Sequence, residues 1–165
     1  MFRHREAAID IEIIPYAPRY AQDFKRLNVE WLCRYFKVEP IDEETLSHPQ
    51  RIIDDGGFIF FARAADQIIG TCALIRKSPT GFELSKMAVT ESYQGQGIGR
   101  GLLSVVLDAF DAHSATDLFL ESNAALTAAL QLYESLGFEH SPRPGSSTYE
   151  RADVYMVYRG RGAIR

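Results

Sequence analysis

The sequence predicts an α+β fold, with a mixed, mostly antiparallel central sheet and helices on both of its faces. Three consecutive β-type runs separated by turn residues indicate an antiparallel meander. A fourth run follows a glycine-rich loop and an amphipathic helix, which is the pattern of a parallel crossover. Strands as apolar as these must be covered on both faces, so we expect three layers, α/β/α.

The first third of the chain is predicted to hold one strand and two helices. Ala8–Pro15 contains a β-branched run and predicts the first strand. Pro18–Phe36 places aromatic and leucine side chains at helical spacing, and Pro40 is expected to end that segment. Asp42–Asp55 is predicted to be the second helix, because its first turn is acidic and two glycines follow it.

The middle and the last part of the chain supply the remaining strands. The meander comprises Phe58–Ala65, Gln67–Lys77 and Phe82–Thr90. The glycine loop and its helix occupy Gln94–His113, and the next strand, Asp117–Glu121, is predicted to lie parallel to the strand at 82–90. Leu126–Leu136 predicts a short helix that Thr127 caps and Gly137 ends. Phe138–His140 and Val154–Tyr158 are predicted as the last strands.

Composition limits the classes of protein that the chain can represent. At 165 residues it is expected to be a single domain spanning residues 1–165. The net charge of -4 argues against nucleic acid as the main partner. Met1–Ala8 lacks an apolar signal region, and no apolar run is long enough to span a membrane. Cys33 and Cys72 lack metal-type spacing and favour a reducing compartment. We therefore expect a cytoplasmic protein without a metal site.

The most informative stretch is Gln94-Gly95-Gln96-Gly97-Ile98-Gly99-Arg100-Gly101. It joins a strand to a helix, and the first turn of a helix offers unpaired backbone N–H groups and a positive dipole end. Such a loop suits a phosphate or pyrophosphate. The dinucleotide pattern G-x-G-x-x-G would need glycine at Arg100 or Leu102, and no lysine follows to complete a P-loop. A ligand-free glycine turn is the alternative that the loop alone leaves open.

Two motifs in order give the chain a family resemblance. Gln94-x-x-Gly97-x-Gly99 is followed, after a helix and a strand, by Leu132-Tyr133-Glu134-Ser135-Leu136-Gly137-Phe138. This arrangement, covering roughly 82–138, resembles the GNAT superfamily of acyl-CoA-dependent N-acetyltransferases. The resemblance implies that acetyl-CoA is the co-substrate and that an amine-bearing small molecule or protein is the acceptor. Homodimers are common in the family, and the sequence leaves the oligomeric state open.

The resemblance also implies where acetyl-CoA binds. The pyrophosphate would lie on the glycine loop, and the pantetheine arm would pair with the edge of the strand ending at residue 89, which splays from its parallel neighbour. The implied contacts are Met87, Ala88, Val89, Gln94, Gly95, Gln96, Gly97, Ile98, Gly99 and Arg100. Many members carry an asparagine seven residues before the tyrosine, where this chain has Leu126. Asn123 is the substitute candidate, and it could equally serve only to turn the chain.

Three residues are candidates for the chemistry of acetyl transfer. Tyr133 corresponds to the tyrosine that protonates the leaving thiolate in many members. Glu83 and Glu121 compete as the general base, with Glu83 slightly favoured, and a water chain is the third alternative. Strand alternation predicts that Glu83 shares a face with Met87 and Val89, where a carboxylate would have a raised pKa. The oxyanion would be bound by a backbone N–H near Ala88 or Val89.

Charged residues near these positions admit both structural and functional roles. Lys86 is expected to be solvated or to pair with Glu83 or Glu91, and contact with the CoA phosphates is the less favoured alternative. Arg151 and Asp153 are candidates for acceptor contacts, or for a surface ion pair of little energetic value.

The function expected from the sequence is N-acetyl transfer from acetyl-CoA to a primary amine in a direct ternary complex. A non-catalytic acyl-CoA-binding sensor or interaction module with the same fold is the main alternative. A nucleotide or dinucleotide binder is disfavoured by the failed fingerprints. The acceptor lies beyond what the sequence specifies, because a fold does not determine its substrates.

Overall fold

The computed structural model describes residues 10–161, and its seven strands form one sheet in the order β1-β2-β3-β4-β5-β7-β6. The strands are β1 (Ile11–Pro15), β2 (Phe58–Ala64), β3 (Gln67–Arg76), β4 (Gly81–Val89), β5 (Asp117–Ser122), β6 (Phe138–His140) and β7 (Val154–Tyr158). Only the β4–β5 pair is parallel within this described sheet. The predicted mixed, mostly antiparallel sheet and its three-strand meander are therefore confirmed.

Helices cover both faces of the sheet, as predicted. They are α1 (Ala21–Tyr35), α2 (Pro40–Ser47), α3 (Pro49–Asp54), α4 (Ile98–Asp111) and α5 (Thr127–Ser135), with 3₁₀ turns at Pro18–Tyr20 and Glu91–Tyr93. One apolar cluster packs α4 and the end of α5 against the sheet, and a second packs α1, α2 and α3 against the other face. No helix within residues 10–161 combines the length and the apolar character needed to cross a membrane.

Three local predictions are wrong, and two of them involve a proline that starts a helix. The predicted helix Asp42–Asp55 is two helices, since Pro49 starts a new one directly after His48. Pro40 opens α2 at its first position, where a missing N–H costs nothing, and α1 has already ended at Tyr35. Thr127 is the first residue of α5, and Leu126 occupies the N-cap without a side-chain bond.

A bulge in β4 changes which side chains face each side of the sheet. Lys86 adopts a φ of 55°, and the β3–β4 register shifts between Thr71 and Ala73. Met87 and Val89 consequently pack on the α4 side of the sheet, together with Phe82 and Leu84. The expectation that Glu83 shares a face with Met87 and Val89 is therefore wrong, because the extra residue reverses the alternation.

The described residues leave two sequence-based expectations only partly covered. Ala8 and Ile9 of the predicted first strand lie outside residues 10–161, as does the segment Met1–Ala8.

Candidate active site

A cleft opens in the middle of the sheet where its two parallel strands separate. β4 and β5 pair only through Gly81–Asp117, Phe82–Leu118 and Glu83–Phe119. Beyond these pairs the strands diverge, and a cavity of about 560 Å³ lies between them and extends to the N-terminus of α4. The predicted splaying is confirmed, and the cavity has the size of a small-ligand site.

The residues predicted for the site converge on this cavity. The lining includes Glu83, Met87, Ala88, Val89, Gln94, Gly95, Gly97, Ile98, Gly99, Arg100, Glu121, Asn123 and Tyr133. Gln96 is the exception, because its side chain turns back to the carbonyl of Ser92 at 3.5 Å. One cavity thus joins the glycine loop to the candidate acid and bases.

The glycine loop provides a cradle for an anion at the mouth of the cleft. Gly95 and Gly97 have φ values of 77° and 80°, and a Cβ on either would meet no atom within 4 Å. Gly97 is the N-cap of α4, so the first N–H groups of the helix have no intrahelical partner. Arg100 donates to the Ser135 hydroxyl at 3.0 Å. The loop therefore fits a pyrophosphate, and a helix dipole adds to the attraction.

Glu83 is a buried carboxylate with little to stabilise its charge. The residue is 3% exposed, and its Oε1 makes no hydrogen bond within the described part of the chain. The nearest cation is the Nζ of Lys77, at 3.7 Å. Burial raises the pKa of Glu83 above its usual 4.5, and the Lys77 charge opposes that rise. A carboxylate in this state accepts a proton more readily than an exposed one.

Glu121, the other candidate base, is already engaged. Its Oε1 lies 2.7 Å from the Nε of Arg143, and both side chains are largely buried. Glu121 thus already has a cationic partner in contact with its carboxylate, whereas the nearest cation to Glu83 lies 3.7 Å away. The geometry therefore favours Glu83 as the base.

Tyr133 lies in α5 on the opposite side of the cleft from α1 and packs edge-on against Phe138, with 6.0 Å between ring centroids. Burial raises the pKa of Tyr133 well above 10. The phenol therefore keeps its proton at neutral pH and can donate it to a group in the cleft.

Asn123 uses its side chain to brace the loop that follows β5. Its Nδ2 donates to the carbonyl of Arg151 at 2.7 Å, and its Oδ1 accepts from the N–H of Ala125 at 2.8 Å. The side-chain amide is thus occupied by the chain's own backbone, although the residue lines the cavity.

A buried ionic cluster beneath the cleft was not predicted. We define it as Glu39, Asp42, Lys86 and Arg151. Asp42 is fully buried and accepts from Lys86 Nζ at 2.6 Å and from both terminal nitrogens of Arg151 at 2.7 and 2.9 Å. Arg151 also donates to Glu39 at 2.9 Å. Lys86 pairs with Asp42, so its predicted pairing with Glu83 or Glu91 is wrong. Arg151 pairs with the buried Asp42, so the alternative of a surface ion pair for Arg151 is also wrong.

Tyr149 also lines the cavity and was not among the residues predicted for the site. Lys86 Nζ and Arg151 Cζ lie 4.9 and 4.7 Å from its ring centroid, within cation–π range. Burial raises its pKa, and the charge of Glu83 adds to the effect. Asp153, by contrast, accepts from the N–H of Ala124 at 2.9 Å and serves the loop.

The fold and the cleft together define a class of protein. The open sheet is split between two parallel strands, the glycine loop lies at the end of the split, and Glu83 and Tyr133 line the cavity inside it. The family model described as an acetyltransferase (GNAT) domain matches residues 55–140, slightly more than half of the chain. The chain therefore belongs to the GNAT acetyltransferase family.

Individual relatives are consistent with this assignment. The [Ribosomal protein bS18]-alanine N-acetyltransferase of Escherichia coli K12 is 43% identical over 58 residues, which are 35% of this chain and 39% of that protein. A GNAT acetyltransferase from Staphylococcus aureus Mu50 matches with a TM-score of 0.82, 23% identity, and coverage of 90% and 98% of the two chains. The PaiA N-acetyltransferase of Thermoplasma acidophilum, solved with coenzyme A, matches with a TM-score of 0.70, 16% identity and coverage of 91% and 99%.

The level of identity and the coverage limit what these matches establish. At such identities the two solved structures show that the fold is shared. The chain spans well under half of the length of the curated relative.

Proposed function

We propose that the protein is a single-domain N-acetyltransferase that moves an acetyl group from acetyl-CoA to a primary amine by direct transfer in a ternary complex. The observation that carries the proposal is the continuous cleft that joins the glycine loop to Glu83 and Tyr133. Acetyl-CoA, when bound, supplies the reactive thioester. Its pyrophosphate would be held by Gly95, Gly97 and the first turn of α4, and its pantetheine arm by the unpaired edge of β4.

Glu83 would take the proton from the acceptor ammonium. Its raised pKa makes it a better proton acceptor than an exposed carboxylate, and the amine becomes nucleophilic only after that proton is lost. The backbone N–H of Ala88 or Val89 would bind the developing oxyanion, since these residues lie where β4 has left β5. Tyr133 would then give its proton to the departing thiolate.

Direct transfer is supported by the state of the cysteines. Cys72 is fully buried, and burial raises its thiol pKa to about 12, so it stays protonated and unreactive. Cys33 is exposed and does not line the cavity. An acetyl-cysteine intermediate would need a reactive thiolate in the cleft.

The test is a comparison of the wild-type protein with Tyr133→Phe in acetyl-CoA turnover and in CoA binding. An enzyme should lose about 100-fold in kcat when the proton donor is removed, while the thermal shift given by CoA persists. A protein that binds CoA but turns over no amine would be a sensor or interaction module. Stabilisation by NAD or ATP in place of CoA would overturn the proposal.

A further inference from the structure

The charged side chains that line the cleft differ in whether they already have an ion-pair or hydrogen-bond partner. Among the described residues they are Glu83, Lys86, Arg100, Glu121 and Arg151. Lys86 and Arg151 are neutralised by Asp42 and Glu39. Glu121 pairs with Arg143, and Arg100 donates to Ser135 at the glycine loop. Glu83 alone keeps a buried oxygen without a hydrogen-bond donor, with Lys77 at 3.7 Å as its nearest cation. The cleft can therefore compensate one positive charge on an acceptor.

Apolar and aromatic side chains form the outer wall of the same cleft. Trp31, Tyr35 and Phe36 at the end of α1 all line it, with Trp31 at 5.2 Å from Tyr35 and 5.8 Å from Phe36 between ring centroids. We call these three residues the aromatic wall. Tyr35 is 42% exposed, one of two large hydrophobic residues left so open in the described chain, and the other, Ile41, lies outside the cleft.

The wall is held over the cleft by contacts from two directions. Arg34 forms an ion pair with Glu91, which ties the end of α1 to the segment that precedes the glycine loop. Lys37 lies 3.2 Å from Glu150, and Glu39 accepts from the N–H of Glu150 at 2.9 Å. These contacts position the segment 34–39 at the mouth of the cleft.

We propose that the acceptor is a primary amine that carries a single positive charge on an apolar or aromatic carbon skeleton. This inference rests on the proposed function. The ammonium would pair with Glu83, and the skeleton would lie against the aromatic wall. A polyamine or aminoglycoside would bring further ammonium groups into a cleft whose other carboxylate is already paired, and each would lose hydration without compensation. The same chemistry is offered by a small arylalkylamine and by a peptide whose N-terminal residue is aromatic.

The test compares a panel of amines at matched concentration as acceptors. The rate of acetyl transfer is measured from the release of the CoA thiol. The panel comprises 2-phenylethylamine, a tripeptide amide beginning with Phe, spermidine and kanamycin. At least a tenfold advantage in kcat/KM is expected for one of the first two over the last two, because burial of an aromatic group contributes about that factor or more. The ratio between the first two distinguishes a free amine from a chain terminus.

Two variants test whether the aromatic wall causes the preference for an aromatic amine. Tyr35→Ala should raise KM for the preferred amine about five- to tenfold and leave kcat within twofold, since it removes contact area away from the reacting atoms. Ile41→Ala, an equally exposed change outside the cleft, should alter neither. Preference for spermidine or kanamycin, or an unchanged KM in Tyr35→Ala, would overturn the inference. CoA stabilisation without turnover of any panel amine, or absence of CoA stabilisation, would count against the proposed function itself.

Discussion

At the scale of single residues, the site is defined by two carboxylates in opposite electrostatic situations. Asp42 is surrounded by cations, and its pKa falls to about 2 because hydrogen bonds from Arg151 and Lys86 outweigh the burial that would raise it. Glu83 is buried with only Lys77 near it, and its pKa rises. One group is therefore a permanent anion that holds structure, and the other is a group that can exchange its proton.

Glu83→Gln should remove the base without changing the shape of the cleft. In the wild-type protein the rate is expected to rise with pH as Glu83 loses its proton, with a midpoint above 4.5 because burial raises its pKa. The variant should lose about 100-fold in kcat and should lack this limb of the pH profile. Steady-state kinetics across pH measure both. Glu121→Gln is the matched control, and a larger loss in that variant would transfer the role of base to Glu121.

Asp42→Asn should destabilise the fold strongly. The change leaves Lys86 and Arg151 buried with Glu39 as the remaining carboxylate of the cluster, and breaking such a pair typically costs about 3–5 kcal/mol. Urea unfolding measures the loss. Asp23→Asn removes an exposed partner of Arg26 by the same chemical change and should cost less than about 1 kcal/mol.

The sign of the pH dependence follows from the lowered pKa of Asp42. Its usual value is 3.8 and its folded value is about 2, so its stabilising contribution is present above pH 4 and is lost as the pH falls towards 2. The contribution is on the order of 2 kcal/mol. Asp42→Asn should flatten the stability profile in this window, and an unchanged slope would contradict the assignment.

At the scale of elements, two glycines of the glycine loop differ in whether the backbone requires glycine. Gly97 needs a left-handed backbone at the N-cap of α4, whereas Gly101 lies inside the helix with open space where a Cβ would be. Gly97→Ala should lower the free energy of unfolding by about 1–2 kcal/mol and weaken CoA binding. Gly101→Ala should raise stability by about 0.5–1 kcal/mol and leave CoA binding unchanged. Thermal unfolding with and without CoA distinguishes them, and equal effects would refute this distinction.

Most elements could be predicted from the sequence, because their signals are local. The glycine loop, the period-2 runs of the meander and the stop at Gly137 each depend on a few neighbouring residues. The bulge at Lys86 could not be predicted in this way. A lysine at positive φ has no sequence signature, and the conformation is maintained by its contact with Asp42, 44 residues earlier. The reversal of side-chain facing that follows was missed for the same reason.

At the scale of the whole molecule, the cleft connects elements that otherwise belong to different parts of the fold. Its lining comes from α1, β4, the glycine loop, β5, α5 and the segment before β7. Two motifs locate the glycine loop and Tyr133, and the family resemblance supplies the other candidate site residues. All of them but Gln96 line the cavity, and their roles stay predictions. The aromatic wall and Tyr149 were not predictable, since their relation to the site depends on how distant segments pack.

Acetyl-CoA should stabilise the entire fold cooperatively, because its proposed site spans these elements. At a concentration one hundred times its Kd, the free energy of unfolding should rise by about 2.7 kcal/mol. The urea midpoint should move upward with no change in the m-value, because the unfolding unit stays the same. NAD at the same concentration is the control. A change in slope in place of a shift in midpoint would indicate that the cleft unfolds separately from the sheet.

The ionic cluster is expected to form late in folding, so the site beside it is completed late as well. Asp42 and Arg151 are 109 residues apart in sequence, and Glu39 and Arg151 are 112 apart. Contacts of such separation close large loops and form slowly during folding. During synthesis, the sheet up to β5 can emerge from the ribosome while Asp42 still lacks the arginine that completes its pairing. A nascent or truncated chain that ends before residue 151 would therefore contain the glycine loop and Glu83, but its ionic cluster would lack Arg151.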